Sequence, residues 1–189
     1  MFCSYFKNKA RYYLVLRFVL LLGLFAFTPL LFLNAQSMNA NDVRRLYTAA
    51  IESAAKTEQL HQTLTALKPT EPLVLAYLGA VEALLAKHAW NPYNKVAWLN
   101  KAAKNFSSAL KKSPNHAEIR YLRFSTEHYL PPFLGHNHLQ EDLENICKHL
   151  DSAENVALGK DVSKAIAKFL LASNRCNGTQ KAILKPYLD

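Results

Sequence analysis

The sequence is poor in glycine. Its 189 residues include five glycines, and no two of them lie within ten positions of each other. Phosphate-binding loops and dinucleotide-binding turns need clustered glycines, because the backbone must approach the phosphates closely. The chain also lacks a G-x-S-x-G nucleophile elbow and an H-E-x-x-H metal-binding helix. These absences exclude the corresponding nucleotide-binding and hydrolytic classes, and we expect no cofactor.

The composition favours helices. Glycine is scarce, whereas alanine, leucine and lysine, which have high helix propensity, are common. Apolar residues recur at helical spacing from residue 39 onward, and no segment alternates with the period of two that half-buried strands show. We therefore predict an all-α fold in a single domain over residues 39–189.

Residues 1–35 differ from the rest of the chain. Four basic residues precede an uncharged apolar stretch over residues 18–33, and small residues follow it. This is the arrangement of a secretory signal peptide, which is removed during export. We predict cleavage after Ala35, with Ser37 as the alternative, and a periplasmic or secreted location. The competing interpretation is an uncleaved anchor, but the stretch has 16 residues, whereas a spanning helix needs about 20.

Removal of this segment changes the charge and the cysteine content. The full chain carries +9, but residues 1–35 hold four of its 23 basic residues and no acidic one, which leaves +5. We expect no nucleic-acid partner, because the lysine face over residues 95–112 lacks interleaved aromatic residues. We also expect membrane contact only through the signal peptide before cleavage.

Two cysteines, Cys147 and Cys176, remain after removal of this segment. They form either a disulfide, which an oxidising compartment permits, or two separate buried thiols.

Breaks along the chain separate eight predicted helices. Turns rich in Pro, Asn and Ser fall at residues 68–72, 91–94 and 113–115, and proline disfavours helical geometry in the residue before it. The third helix is apolar nearly all round, which predicts burial on most of its faces. The predicted helices cover residues 43–54, 57–67, 73–90, 95–112, 116–130, 139–150, 161–172 and 179–184.

A repeat pattern lies in the third and fourth predicted helices. A small residue is followed by a large one four positions later, a second small one at seven and a proline at twelve. These residues are Ala102, Phe106, Ala109 and Pro114. Small residues let paired helices approach closely, the phenylalanine fills the groove, and the proline ends the helix. With the Leu78-Gly79 pair before it, residues 73–114 resemble a tetratricopeptide repeat, although the stretch between Gly79 and Ala102 is about a dozen residues longer than the family's period of about 34 allows.

This resemblance implies a right-handed stack of antiparallel helix pairs. Such stacks present a concave surface to a peptide or protein partner. The segments NPYNKVAWL, SPNHAEIRYLRF and PPFLGHNHLQED also resemble a set of secreted helical proteins of Bacteroidetes bacteria, which implies export and a helical fold but no chemistry. The leading hypothesis is an exported, non-catalytic module that binds a protein or peptide.

A polar stripe on the fifth predicted helix is the main candidate site. Its members are spaced four, three and four apart and so share one face of a mostly apolar helix: His116, Arg120, Arg123 and Glu127. Glu82, the lone acidic residue of the third helix, is the expected counter-charge. The stripe is either an internal ion-pair network or a pocket that binds an anion through two guanidinium groups. The predicted binding residues are Glu82, Tyr93, Arg120, Arg123 and Glu127.

Two other classes of function stay open. An enzyme or metal-binding protein would use Glu82 with Arg123 and His128, or the pair His136 and His138 as metal ligands. Either requires such groups to converge in one cleft. The remaining class is a structural envelope protein, in which the stripe only holds the fold together. The deciding feature is whether Glu82 and the arginines face a groove or the core.

Overall fold

The computed structural model describes residues 38–134 and 137–189. Within these residues the chain is all helical, with eight α-helices packed against one another and no strand. The predicted signal peptide, both of its expected cleavage sites and His136 lie outside the described residues. None of the described helices has the length and apolar character needed to cross a membrane.

The eight helices are joined by short connections. They are α1 (Ala40–Ala50), α2 (Ala54–Ala66), α3 (Pro72–His88), α4 (Pro92–Lys112), α5 (Ala117–His128), α6 (Leu139–His149), α7 (Gly159–Ala172) and α8 (Gly178–Leu184). Short 3₁₀ turns cover Pro132–Leu134, Val156–Leu158 and Lys185–Leu188.

Caps and prolines determine where several helices begin. The side chains of Asn39, Ser53 and Asn91 accept backbone N–H hydrogen bonds at the starts of α1, α2 and α4. Pro92 occupies the first turn of α4, where the missing N–H of proline leaves no intrahelical bond unmade. For this reason α4 begins at Pro92, and most of the turn that was predicted over residues 91–94 is helical.

Two apolar clusters share α5. Ile119 and Leu122 pack into the first cluster, which is otherwise built from α1 to α4. Ala117 and Phe124 face the other way, into a second cluster with α6, α7 and α8. Tyr121 packs against both clusters. Thus α5 joins an N-terminal region, α1 to α4, to a C-terminal region, α6 to α8.

The most extensive helix contact is between α3 and α4. Gly79 lies so close to α4 that a Cβ atom there would stand 3.0 Å from the carbonyl oxygen of Ala102. Ala102 and Phe106 are buried in the same contact. The close approach that the small residues predict for these two helices is therefore present.

Candidate functional site

The two arginines of the polar stripe meet carboxylates of α6. Arg123 donates through Nε and Nη2 to the two oxygens of Asp142, at 2.7 and 2.6 Å. Arg120 donates through Nη1 to Asp142 Oδ1 at 2.9 Å and to Glu141 Oε1 at 2.6 Å. The prediction that Glu82 supplies the counter-charge is wrong, because both arginines face α6 and not α3.

The centre of this ion-pair network is enclosed by the protein, and its outer carboxylate, Glu141, is exposed. Asp142 is fully buried, and the side chains of Arg120 and Arg123 are 9% and 10% exposed. Burial alone would lower the pKa of Arg123, but its hydrogen bonds to Asp142 and the charges of the nearby carboxylates together outweigh that effect and raise the pKa. Arg120 also donates to the carbonyl of Pro114 at 2.7 Å. The arginines therefore tie α5 to α6 and do not face a groove.

Glu127 and Tyr93, the other predicted binding residues, have different surroundings. Glu127 Oε2 accepts the backbone N–H of His138 at 2.7 Å, and its Oε1 lies 2.8 Å from His138 Nδ1. These contacts attach the start of α6 to the end of α5. Tyr93 lies at the start of α4 and is 86% exposed. The five predicted binding residues therefore do not form one site.

The proposed metal ligands are only partly described. His136 lies outside the described residues, and His138 has its Nδ1 beside the Glu127 carboxylate. In residues 38–134 and 137–189, no three or more histidine, cysteine, aspartate and glutamate side chains are placed to hold a metal ion together. The described part of the chain therefore offers no support for the metal hypothesis.

The proposed catalytic group does not converge. Arg123 is bonded to Asp142, as described above, and Glu82 Oε2 accepts a hydrogen bond from Asn105 Nδ2 at 2.7 Å. His128 Nδ1 accepts one from Arg175 Nε at 3.0 Å. Because each of the three residues has a separate partner, they do not present a common cleft to a substrate.

Glu82 instead belongs to a polar cluster on the face that α2, α3 and α4 share. His61 Nε2 lies 3.8 Å from Glu82 Oε1. The His61 ring meets the Trp98 ring edge-on, with centroids 5.1 Å apart, and Lys101 Nζ lies 4.0 Å from the centroid of the Trp98 ring. We call these residues and Asn105 the α2–α4 cluster.

Burial favours the neutral forms of both titratable groups at the centre of the α2–α4 cluster. It raises the pKa of Glu82, although the Asn105 hydrogen bond and the Lys101 charge oppose that shift. It lowers the pKa of His61. The distance of 3.8 Å between His61 and Glu82 Oε1 is too long for a hydrogen bond. Among the described residues, therefore, this oxygen has no hydrogen-bond donor, and it lies beside the partly exposed His61, whose ring contacts Trp98.

Sequence reasoning identified Glu82 but did not connect it with its neighbours. Trp98, Lys101 and Asn105 lie at i, i+3 and i+7, so they share one face of α4, and this spacing was a usable signal. His61 comes from α2, and its approach to Trp98 depends on α2 and α4 both packing against α3. No spacing along the chain contains that information.

A cleft of about 430 Å³ lies where the first turn of α1 approaches the start of α5. Arg44 lines it and donates to both oxygens of the buried Glu118, at 2.7 and 2.6 Å, and Tyr77 donates to the same carboxylate at 2.7 Å. His116, a member of the predicted stripe, faces this cleft. Its buried Nδ1 has no partner among the described residues, and burial lowers its pKa. Glu154 also lines the cleft, so its walls carry charges of both signs.

The α2–α4 cluster is the candidate functional site. It combines a buried carboxyl group that has a free acceptor, a partly exposed histidine and tryptophan, and an exposed lysine. In the arginine network Glu141 is exposed, but its carboxylate already pairs with Arg120 at 2.6 Å, and the central Asp142 has donors at both of its oxygens. No family model, curated protein or solved structure matches the chain.

Proposed function

We propose that the protein is an exported helical module that binds a protein or peptide partner and catalyses no reaction. The observation that carries the proposal is the α2–α4 cluster, in which Lys101 lies over the Trp98 ring and His61 contacts both this ring and the buried Glu82. Tryptophan is over-represented among the residues that dominate binding energy in protein interfaces. His61, Trp98 and Lys101 are the proposed contact residues, with Glu82 and Asn105 beneath them.

The proposal includes a tetratricopeptide-like pairing of α3 and α4. The close approach of Gly79 to Ala102 and the burial of Phe106 in the same contact support it, because the repeat places small and large residues in this way. Helix stacks of this class bind extended segments on a face built from several helices. The α2–α4 cluster lies on such a face, since it draws on three helices.

The charges of the α2–α4 cluster suggest how a partner is recognised. The Lys101 ammonium lies over the Trp98 ring, where a partner carboxylate can contact it from the solvent side. The free oxygen of Glu82 can accept a hydrogen bond from a partner group that displaces the edge of His61. Polar contacts of this kind select among partners more than they add affinity.

Affinity capture with matched variants tests the proposal. Three versions of the full chain would serve as bait in the cells that produce the protein: the wild type, W98A/K101E and K148E. The last of these changes an exposed lysine of α6. We expect the wild type and K148E to retain the same partner and W98A/K101E to lose it by about tenfold or more, because a central tryptophan is worth at least 1.4 kcal/mol in many interfaces. Equal recovery by all three proteins, or no partner above background with the wild type, would contradict the proposal. Circular dichroism melts would establish that the variants are folded.

A further inference from the structure

Helix α4 carries lysines and no acidic residue. Its 21 residues include five lysines, which are Lys95, Lys101, Lys104, Lys111 and Lys112. Lys95 and Lys112 donate to backbone carbonyl oxygens of α3 and of the turn before it, at 3.3 and 2.7 Å. Among the described residues, the ammonium groups of Lys101, Lys104 and Lys111 have no carboxylate within 4.0 Å. We call these three residues the lysine row.

Two contacts place the lysine row beside the second half of α2. The His61 ring, near the middle of α2, meets the Trp98 ring. Further along α4, Lys112 reaches the carbonyl of Thr70, which lies in the connection that follows α2. Trp98 and Lys112 are about 21 Å apart along the helix axis, at a rise of about 1.5 Å per residue. The lysine row lies between these two contacts, within an arc of about 80° at about 100° per residue.

Acidic groups on the neighbouring helices do not neutralise the lysine row. Residues 52–112, which contain α2, α3 and α4, hold eight lysines and four glutamates, an excess of four positive charges. Glu52 pairs with Lys87 at 2.9 Å, and Glu82 is buried. Glu58 and Glu71 are exposed and are included in this balance. The two glutamates of α5, the helix on the other side of α4, are bonded to other groups. The surface along α2 and α4 is therefore positive.

We propose that the lysine row and the α2–α4 cluster together bind an extended acidic segment of a partner protein. The inference rests on the proposed function and names the chemistry of the partner. Six or seven extended residues span about 21 Å, which matches the distance between Trp98 and Lys112. Carboxylates on one side of such a segment pair with the lysine row, and its backbone passes the α2–α4 cluster.

The α2–α4 cluster favours a peptide over other polyanions. Glu82 has an oxygen that no described donor reaches within hydrogen-bond distance. A peptide brings backbone N–H donors together with its carboxylates, whereas the phosphate groups of lipids and nucleic acids present only acceptors. Trp98 is only partly exposed, with Lys101 over its ring and His61 against it. Little of the ring is therefore open for a nucleic-acid base to stack on or for insertion into a bilayer interface.

Fluorescence of Trp98 in the full chain tests the inference. The sequence has two tryptophans, so W90F leaves Trp98 as the sole reporter. The probe is a peptide of alternating glutamate and serine, about ten residues long, and its control has glutamine in place of glutamate. We expect the glutamate peptide to change Trp98 emission saturably and to bind about tenfold more tightly than the control, since three exposed ion pairs each contribute about a factor of two. Raised salt should weaken this binding through screening.

Lysine variants in the W90F background separate the lysine row from general basicity. K104Q/K111Q should weaken binding of the glutamate peptide by about fivefold, because two ion pairs are lost. Lys101 stays unchanged in this variant, since it contacts the reporter ring. The matched control is K164Q/K168Q, which removes two exposed lysines of α7 and should leave the affinity unchanged. Circular dichroism melts would establish that both variants are folded.

The inference is overturned by any of three results. One is a glutamate peptide that leaves Trp98 emission unchanged or binds no more tightly than the glutamine peptide. Another is a loss of affinity in K164Q/K168Q as large as that in K104Q/K111Q, which would mean unspecific attraction to a basic protein. The third is binding to phosphatidylglycerol vesicles that needs Lys104 and Lys111 without binding of the glutamate peptide, which would assign the lysine row to a lipid surface.

Affinity capture distinguishes this inference from the proposed function on which it rests. If K104Q/K111Q retains the same partner as the wild type and W98A/K101E loses it, the acidic segment is overturned and the proposed function stands. Loss of the partner by both variants, with retention by K164Q/K168Q, is the result we expect and supports both. Absence of any partner with the wild type contradicts the proposed function itself.

Discussion

Helices α3 and α4 of the N-terminal region are held together by a close contact of small residues, whereas α5 and α6 are held together by buried charges. Gly79 lets the backbone of α3 approach Ala102. Asp142 accepts hydrogen bonds from two arginines in the interior. A contact of small residues depends on shape alone. A buried ion-pair network fixes the register of two helices, but removing one member leaves an uncompensated charge.

One carboxyl group from each region shows a second difference, in how completely its oxygens are hydrogen-bonded. In the C-terminal region, Asp142 has donors at both of its oxygens. In the N-terminal region, Glu82 has one bonded oxygen and one that no described donor reaches within hydrogen-bond distance. A carboxyl group whose two oxygens both have donors within the fold, such as Asp142, has a structural role. A carboxyl group with an oxygen that lacks a donor, such as Glu82, can accept a hydrogen bond from a partner.

The largest expected effect is the loss of the buried carboxylate. Asp142→Asn removes the buried counter-charge of two enclosed guanidinium groups and leaves them only the exposed Glu141, and we expect it to destabilise the fold by about 3–5 kcal/mol. Urea unfolding followed by circular dichroism measures this loss. Glu144→Gln, an exposed change on the same helix, is the control and should stay within about 0.5 kcal/mol of the wild type. A similarly small change in Asp142→Asn would mean that the charges do not hold the two helices together.

The next effect tests the contact of small residues in the N-terminal region. Gly79→Ala places a methyl group 3.0 Å from a backbone oxygen of α4, and overpacking of this kind costs about 1–3 kcal/mol. In Gly178→Ala the new methyl group has no atom within 4 Å, so we expect it to be neutral or slightly stabilising, because alanine favours a helix over glycine. Thermal unfolding of the two variants makes the comparison. Equal melting temperatures would contradict the close-approach account.

A smaller effect concerns the pH dependence of the α2–α4 cluster. Burial raises the folded-state pKa of Glu82 above its ordinary value of 4.5. The stability that this group contributes is therefore present below its unfolded pKa and is lost as the pH rises through the folded pKa. Glu82→Gln cannot ionise, so its stability relative to the wild type should increase as the pH rises above 4.5. Urea unfolding of both proteins from pH 4 to 8 tests this, and parallel pH profiles would show that burial of Glu82 has no such consequence.

The smallest expected effect is chemical and involves no change in stability. Cys147 and Cys176 are both free thiols, and burial raises the pKa of Cys147 to about 11. We expect the denatured, unreduced full chain to titrate three thiols, in agreement with its three cysteines, and native Cys147 to react slowly at pH 8 because little thiolate is present. A titre of one thiol would mean that a disulfide links two of the cysteines and that the C-terminal region depends on a covalent bond as well as on its ion pairs.

Much of the fold was accessible from the sequence, because helical periodicity and proline breaks are local properties. The all-helical class is confirmed, and the helix over Leu139–His149 begins at the predicted residue. The predicted start of α4, residue 95, lies three residues after the actual start at Pro92. Pro92 was interpreted as part of a turn, although proline also suits the first position of a helix. The tetratricopeptide-like stacking and the exported state remain predictions.

The site was less accessible, because partners across helices depend on tertiary packing. Spacing correctly placed Arg120 and Arg123 on one face of α5, but it could not show that α6, and not α3, covers that face. Glu82 was predicted to pair with these arginines, which is wrong. Its actual neighbours, His61 and Asn105, come from α2 and α4, and only the packing of these helices on α3 brings them to it.

The account's central claim is that a partner meets the α2–α4 cluster and not the arginine stripe of α5 and α6. Site-specific photo-cross-linking in the producing cells tests it, with a photoreactive residue in place of Lys101 in one variant and of Glu144, which is exposed on α6, in the other. The account predicts a defined cross-linked product from position 101 and none from position 144. A product from position 144 with none from position 101, or equal yields from both, would contradict it.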